Sequence, residues 1–162
     1  MARVTSESRE NLQVLIRSSN HELLADEPEG TGDGRGPDPY ELLLAALAAC
    51  TTMTLKLYAR RKSWDLQRVE VELSHDRVHA EDCKECETKE GRLERIVVRL
   101  KIEGDLTDEQ RTRLREIAQK CPVHKTLTGG AKILHETWEY KRPPAKAWRL
   151  GSDYLSRRGS CG

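Results

Sequence analysis

Phenylalanine is absent from this chain of 162 residues and aromatic residues make up only 4%, so its core has to be built from Leu, Ile, Val and Ala. That is a lean supply for a monomer, and burial against a second copy would add to it. Charge of one sign is missing too, with 28 Lys and Arg against 27 Asp and Glu. A formal net charge of +1 creates no broad field to attract nucleic acid or an anionic membrane, so function is expected from a local site. Long hydrophobic runs are also lacking. The longest charge-free stretch, Leu42 to Leu55, has 14 residues, short of the roughly 20 that span a bilayer. The N-terminal MARVTSESRE holds no apolar export segment, which points to a cytoplasmic protein. Five cysteines, an odd number, argue against a structural disulfide framework and for reduced, metal-bound or catalytic thiols.

The length suits one domain, taken as residues 1–140 with a C-terminal extension over 141–162 in which Trp148 and Tyr154 are candidate anchors. The first 30 residues alternate in short stretches, one starting at Val4 and another carrying Leu12, Val14 and Ile16, and predict antiparallel strands. Gly and Pro crowd residues 27–39, for which a mobile loop is expected. A helix then opens with three agreeing signals: Asp38 as cap, Pro39 in the first turn and Glu41 at the capping-box position. Apolar or small on every face from Leu42 to Leu55, it is expected to be buried all round, at the centre of the fold or in a subunit interface.

Beyond Lys62 the period becomes two. Val69, Val71 and Leu73 mark one strand, Ile96, Val98, Leu100 and Ile102 a second, and the two are expected to pair as a long hairpin. Gly104 is expected to stop that strand, and Thr107 with Gln110 to cap a helix whose apolar stripe is Leu114, Ile117 and Ala118. Pro122 ends this helix near Cys121, which can itself cap a short new helix. A last strand is expected near residues 133–140. No internal repeat is present.

Cys50 sits in the charge-free helix and Cys121 heads Cys121-Pro122-Val123-His124, 71 residues later. Alone, Cys50 would be a small core residue, but a second thiol in such a setting suggests a redox pair. The stretch GPDPYELLLAALAACTTM at 36–53, followed by EGDLTDEQ and by CPVHKTL at 121–127, resembles the OsmC/Ohr family of organic hydroperoxide resistance proteins over roughly residues 10–140. The resemblance implies an α+β fold in which antiparallel sheets wrap two central helices of an intertwined homodimer, with active sites at the subunit interface. It further implies a thiol peroxidase: Cys50 attacks an organic hydroperoxide, becomes a sulfenic acid and condenses with Cys121 to a disulfide that a dithiol reductant reopens. No cofactor is implied.

Peroxide reduction needs a thiolate, a cation or donor to stabilise it, and a second thiol to trap the sulfenic acid. Leu43, Leu47 and Met53, with Tyr40, are candidates to line an apolar substrate pocket. In the family the cation is an arginine held by a glutamate, and here the chain departs from the pattern: Tyr40 stands ten residues before Cys50, where the glutamate is expected. Glu41, about 100° around the helix, is the candidate carboxylate, with capping as its simpler role. Arg35 in the glycine-rich loop is the candidate arginine, followed by Arg9 and Arg17. His124 is a possible donor near Cys121 but is as readily a surface residue.

The departure keeps two other readings open: a dimeric OsmC-fold module that binds an apolar ligand without efficient peroxidase chemistry, and a general thiol–disulfide exchanger. A rival site class comes from Cys83-Lys84-Glu85-Cys86, which with His75 and His79 offers ligands that zinc accepts, exposed thiols being the plainer reading. Cys161 has no expected role.

Overall fold

The computed structural model describes residues 2–79 and 92–135. Met1–Ala131 forms one compact unit and Lys132–Gly162 a second. The first unit opens with a three-stranded antiparallel meander, β1 (Thr5–Ser8), β2 (Val14–Ser18) and β3 (His21–Ala25), in the order β1-β2-β3. Leu12, expected in the second strand, falls in the turn before it and is exposed.

The glycine-rich stretch that follows is hydrogen-bonded throughout and is not the free loop its composition suggests. Asp26, at 2% exposure, accepts the backbone N–H groups of Glu27 (2.9 Å), Asp33 (3.2 Å) and Arg35 (3.0 Å). Its own N–H donates to Pro37 O, and Gly32 and Gly34 donate to Pro28 O and Glu27 O. A buried carboxylate must be satisfied, and this one is satisfied by folding the loop around itself.

That loop delivers the chain to α1 (Pro39–Arg61), which starts at the expected cap, with Asp38 and Glu41 forming a reciprocal capping box. The helix runs past Leu55 because Lys56, Arg60 and Arg61 sit on its exposed side. By length and composition alone α1 is large enough to cross a bilayer. In the fold it is the core helix: Leu47, Thr51, Leu55 and Ala59, spaced by four, are its buried residues. Among the described residues the expected burial on every face is not met. Ala45, Ala49, Met53 and Leu57 form a second stripe on the opposite side and all four are exposed.

The predicted hairpin is present as β4 (Asp65–His79) and β5 (Arg92–Asp105), with Val69 opposite Ile102, Val71 opposite Leu100 and Leu73 opposite Val98. Gly104 does not end β5 but lies inside it, where Gln67 bulges out between Leu66 and Arg68. Its φ of +147° is open to glycine, and a Cβ there would stand 2.0 Å from Asp65 O. The capping box of Thr107 and Gln110 opens α2 (Asp108–Ala118), whose Leu114 and Ile117 join Leu55 and Ala59 in the core. Arg111 clamps α2 to the strand end by donating to Ile102 O and Gly104 O, both at 2.8 Å. Pro122 then starts α3 (Pro122–Gly129), capped by Cys121 as expected. The scarce aromatics are used here: Tyr58 and Trp64 meet edge to face with centroids 5.5 Å apart beside that core.

Residues 131–135 carry no regular structure, and Ile133 and Leu134 are exposed. The remainder of the expected last strand, the Cys83/Cys86 connection, Trp148, Tyr154 and Cys161 lie outside the described residues.

Two glycines give a paired test of these packing arguments. Gly104→Ala is expected to cost about 2 kcal/mol or more in urea unfolding, through strain and overpacking. Gly129→Ala, with nothing within 4 Å of its would-be Cβ, is expected to be neutral or stabilising by up to about 1 kcal/mol.

Candidate functional site

Cys121 is fully buried where it packs beside α1. Proline at 122 forbids continuation of α2, so Cys121 adopts extended geometry and its side chain folds back over the first turn of α3. There Sγ accepts the backbone N–H of His124 at 3.3 Å and the hydroxyl of Thr51 at 3.6 Å, while Cys121 itself is 0% exposed. Thr51 is the residue after Cys50, so the second thiol lies against the turn of α1 that carries the first.

Cys50 is half-buried, and both it and the buried Cys121 are free thiols. On the helix it sits about 100° from Thr51 in the buried stripe and about 100° from Ala49 in the exposed one. The thiol therefore marks the border between the face sealed by this chain and the face left open. Among the described residues it makes no hydrogen bond.

The candidate pocket residues separate. Leu47 is packed in the interior at 3% exposure, Leu43 is half-buried and Met53 is 63% exposed. An open hollow of about 670 Å³ lies beside Met53, lined further by Leu57, Trp64 and Leu66, with Lys56 and Arg60 contributing charge. It includes neither Leu43 nor Leu47.

The candidate arginines are placed elsewhere in the meander and loop. Arg35 is exposed, and its charge acts on Asp33. Arg9 pairs with Glu7 at 3.6 Å, and Arg17 is bound to Glu7 and Glu22. Glu41 is engaged in the capping box, the simpler of its two expected roles. His124 is half-buried and contributes its backbone N–H to Cys121.

At the start of α1 the structure builds a constellation that the sequence reading missed. Tyr40 stacks on His75 with ring centroids 4.4 Å apart at 12°, and its hydroxyl accepts from Arg77 Nη2 at 3.4 Å. Arg77 Nε donates to Glu94 Oε1 at 2.7 Å, and the other Glu94 oxygen meets His75 Nε2 at 2.5 Å. Partial desolvation pushes the Glu94 carboxyl up, but the bonds from His75 and Arg77 outweigh it and hold it below the usual range. An arginine–glutamate pair thus reaches the helix start from β4 and β5, with Tyr40 bonded to the arginine. A signal for it exists in the alternation: the inward set Val69, Val71, Leu73 continues to His75 and Arg77, opposite Ile96 and Glu94. His75, counted among possible zinc ligands, is committed here, and among the described residues no group of His, Cys, Asp and Glu is arranged to hold a metal. Ten residues separate Tyr40 from Cys50, about 15 Å of helix, so this cluster does not touch the thiol of its own chain.

A thiol on a central helix, a second thiol capping the helix packed beside it and a hairpin covering the central helix are now in place. The family model described as OsmC-like protein matches residues 31–136, well over half of the sequence. The chain belongs to the OsmC family. Solved structures agree on the fold. An OsmC-like protein from Mycoplasma pneumoniae superposes with a TM-score of 0.65 at 22% identity, covering 80% of this chain and 89% of that one. The organic hydroperoxide resistance protein OhrB of Bacillus subtilis gives 0.56 at 22%, covering 80% and 92%. An organic hydroperoxide resistance protein OsmC from Legionella pneumophila gives 0.59 at 18%, covering 80% and 90%. No curated protein sequence matches the chain. This OsmC-family chain thus shares the α+β arrangement of proteins whose names carry hydroperoxide resistance, at identities that speak for the fold alone.

The loop before α1 has a pH signature. Hydrogen bonds from Gln13 (2.8 Å) and Asn11 (3.0 Å) hold the Asp33 carboxyl below its ordinary value of 3.8, helped by Arg35. A lowered folded-state value means stability that is present above the unfolded value and lost as pH falls through the folded one. Asp33→Asn should therefore melt below the wild type at pH 5, with the gap narrowing as the pH falls below 3.8. A gap independent of pH would refute the assignment.

Proposed function

We propose that this protein is a thiol-dependent peroxidase that reduces organic hydroperoxides with Cys50 and Cys121, working in the cytoplasm with a dithiol reductant. One observation carries the reading: the Thr51–Cys121 contact, which sets the second sulfur against the helical turn of the first. The Cys50 sulfur attacks the outer peroxide oxygen, the O–O bond breaks, and the alcohol leaves with a proton while Cys50 becomes a sulfenic acid. Cys121 then displaces water from that sulfur to form the disulfide. A dithiol returns two electrons and two protons by exchange.

The half-buried setting of Cys50 between a sealed and an open apolar face suits substrates with apolar substituents. Tyr40 at the expected glutamate position does not leave the helix start without an ion pair, since Arg77 and Glu94 bring one from the hairpin. An ion pair thus stands at the helix start through a different set of residues.

The reduced protein should consume cumene hydroperoxide faster than hydrogen peroxide, with two thiols lost per chain. Cys50→Ser should abolish turnover, and Cys121→Ser should allow one reduction per chain followed by overoxidation. Equal consumption by Cys50→Ser would refute the peroxidase. It would leave the ligand-binding module as the reading to pursue, with the hollow beside Met53 as the place to look.

The active form is a homodimer. A helix with Ala45, Ala49, Met53 and Leu57 facing water leaves unsatisfied the same apolar surface that its opposite stripe buries. Leu57→Glu should shift the sedimentation coefficient from dimer to monomer and lower the melting temperature. A wild type that sediments as a monomer at micromolar concentration would overturn this.

A further inference from the structure

Thr51 is a hydroxyl at 2% exposure in the middle of an otherwise apolar stripe, between Leu47 and Leu55. A threonine inside a helix ordinarily returns its hydroxyl to the carbonyl one turn back, or points it to solvent. This one is directed across to Cys121 Sγ at 3.6 Å, a contact between residues 70 apart in the chain. Sulfur is a weak acceptor, so a buried hydroxyl committed to it is a poor choice for stability alone, and valine or alanine would fill the same stripe. The other bond to that sulfur comes from the backbone of His124. It fixes Sγ to α3, whereas Thr51 fixes it to α1. Of the two, the threonine bond alone joins the sulfur to the element that carries Cys50.

We infer that Thr51 is a positioning residue: its hydroxyl holds the Cys121 sulfur against the Cys50 turn of α1 and so sets how fast the two thiols close to a disulfide. The inference rests on the two-thiol reading but not on the identity of the oxidant. Closure removes two electrons and two protons from the thiol pair, and the oxidant that takes them is either diamide, which becomes the hydrazine, or the hydroperoxide. With the hydroperoxide, oxygen first resides on Cys50 as a sulfenic acid and leaves as water when Cys121 attacks. If closure is slow, a second peroxide carries that sulfenic acid to sulfinic acid. Thr51 therefore governs the partition between the recoverable and the irreversible product.

The test compares the wild type with Thr51→Val, which keeps the shape and removes the hydroxyl, and Thr51→Ser, which keeps the hydroxyl. Each reduced protein is treated with diamide and, separately, with cumene hydroperoxide. Disulfide and sulfinic acid are read by mass spectrometry and unfolding by thermal melting. Thr51→Val should close the disulfide roughly fivefold more slowly than the wild type with either oxidant, the worth of one neutral hydrogen bond. It should also accumulate Cys50 sulfinic acid under peroxide, while Thr51→Ser stays within about twofold of the wild type on the same scale. Should Thr51→Val fail to fold, Thr51→Ala makes the same comparison. Equal closure by the wild type and the hydroxyl-free variant, closure as slow in Thr51→Ser as in Thr51→Val, or a wild type whose two thiols never pair would each overturn the inference. If the diamide result holds and the peroxide is not consumed, the peroxidase reading fails and the role of Thr51 stands.

Discussion

A helix that is apolar or small on every face from Leu42 to Leu55 has to be covered on more than one side, and α1 imposes that demand on everything around it. Its stripe at Leu47, Thr51, Leu55 and Ala59 receives the core: Leu114 and Ile117 come from α2, and Val69, Leu100 and Ile102 from the hairpin stand behind them. Only uncharged residues at that spacing allow the elements to close on it. The opposite stripe, from Ala45 to Leu57, has no partner among the described residues. A core with no phenylalanine thus stands beside an apolar stripe of its central helix that the described residues leave open.

The position of Cys50 follows from that division. A residue in the middle of the sealed stripe would be unreachable by a peroxide, and one in the middle of the open stripe would be an ordinary surface thiol. Cys50 lies between the two. Cys121 reaches the same turn because Pro122 breaks the chain direction between α2 and α3, which turns the cysteine from a helical residue into a cap. The proline therefore does chemical service through geometry alone. The Tyr40, His75, Arg77 and Glu94 cluster shows a related economy: the inner face of the hairpin is apolar while it covers the core and becomes polar and charged where it passes the helix start.

Much of this was legible from local rules. Both capping boxes, the prolines that start α1 and α3, the Cys121 cap and the facing sets Val69, Val71, Leu73 and Leu100, Ile102 are short-range or periodic features, and each is present as expected. What escaped depended on one side chain meeting a distant backbone. Asp26 reads as one acid among many, yet it organises the glycine-rich loop by accepting three N–H groups from up to nine residues away. Gly104 reads as a stop, yet a bulge on the partner strand turns it into an interior strand residue. Neither Arg77 nor Glu94 carries a motif. They meet because residues 77 and 94 are opposite one another in the hairpin register.

By itself the sequence determined the helix starts, the long hairpin, the apolar character of α1 and the two thiols with their flanking motifs, because these follow from spacing and backbone chemistry within a few residues. Only the tertiary structure decided which side of α1 would be sealed, which sulfur would be fully enclosed, that Thr51 would donate to it and that an ion pair from the hairpin would stand at Tyr40. Those outcomes are set by how elements distant in the chain dock, and docking depends on the whole packed surface, which no local spacing encodes.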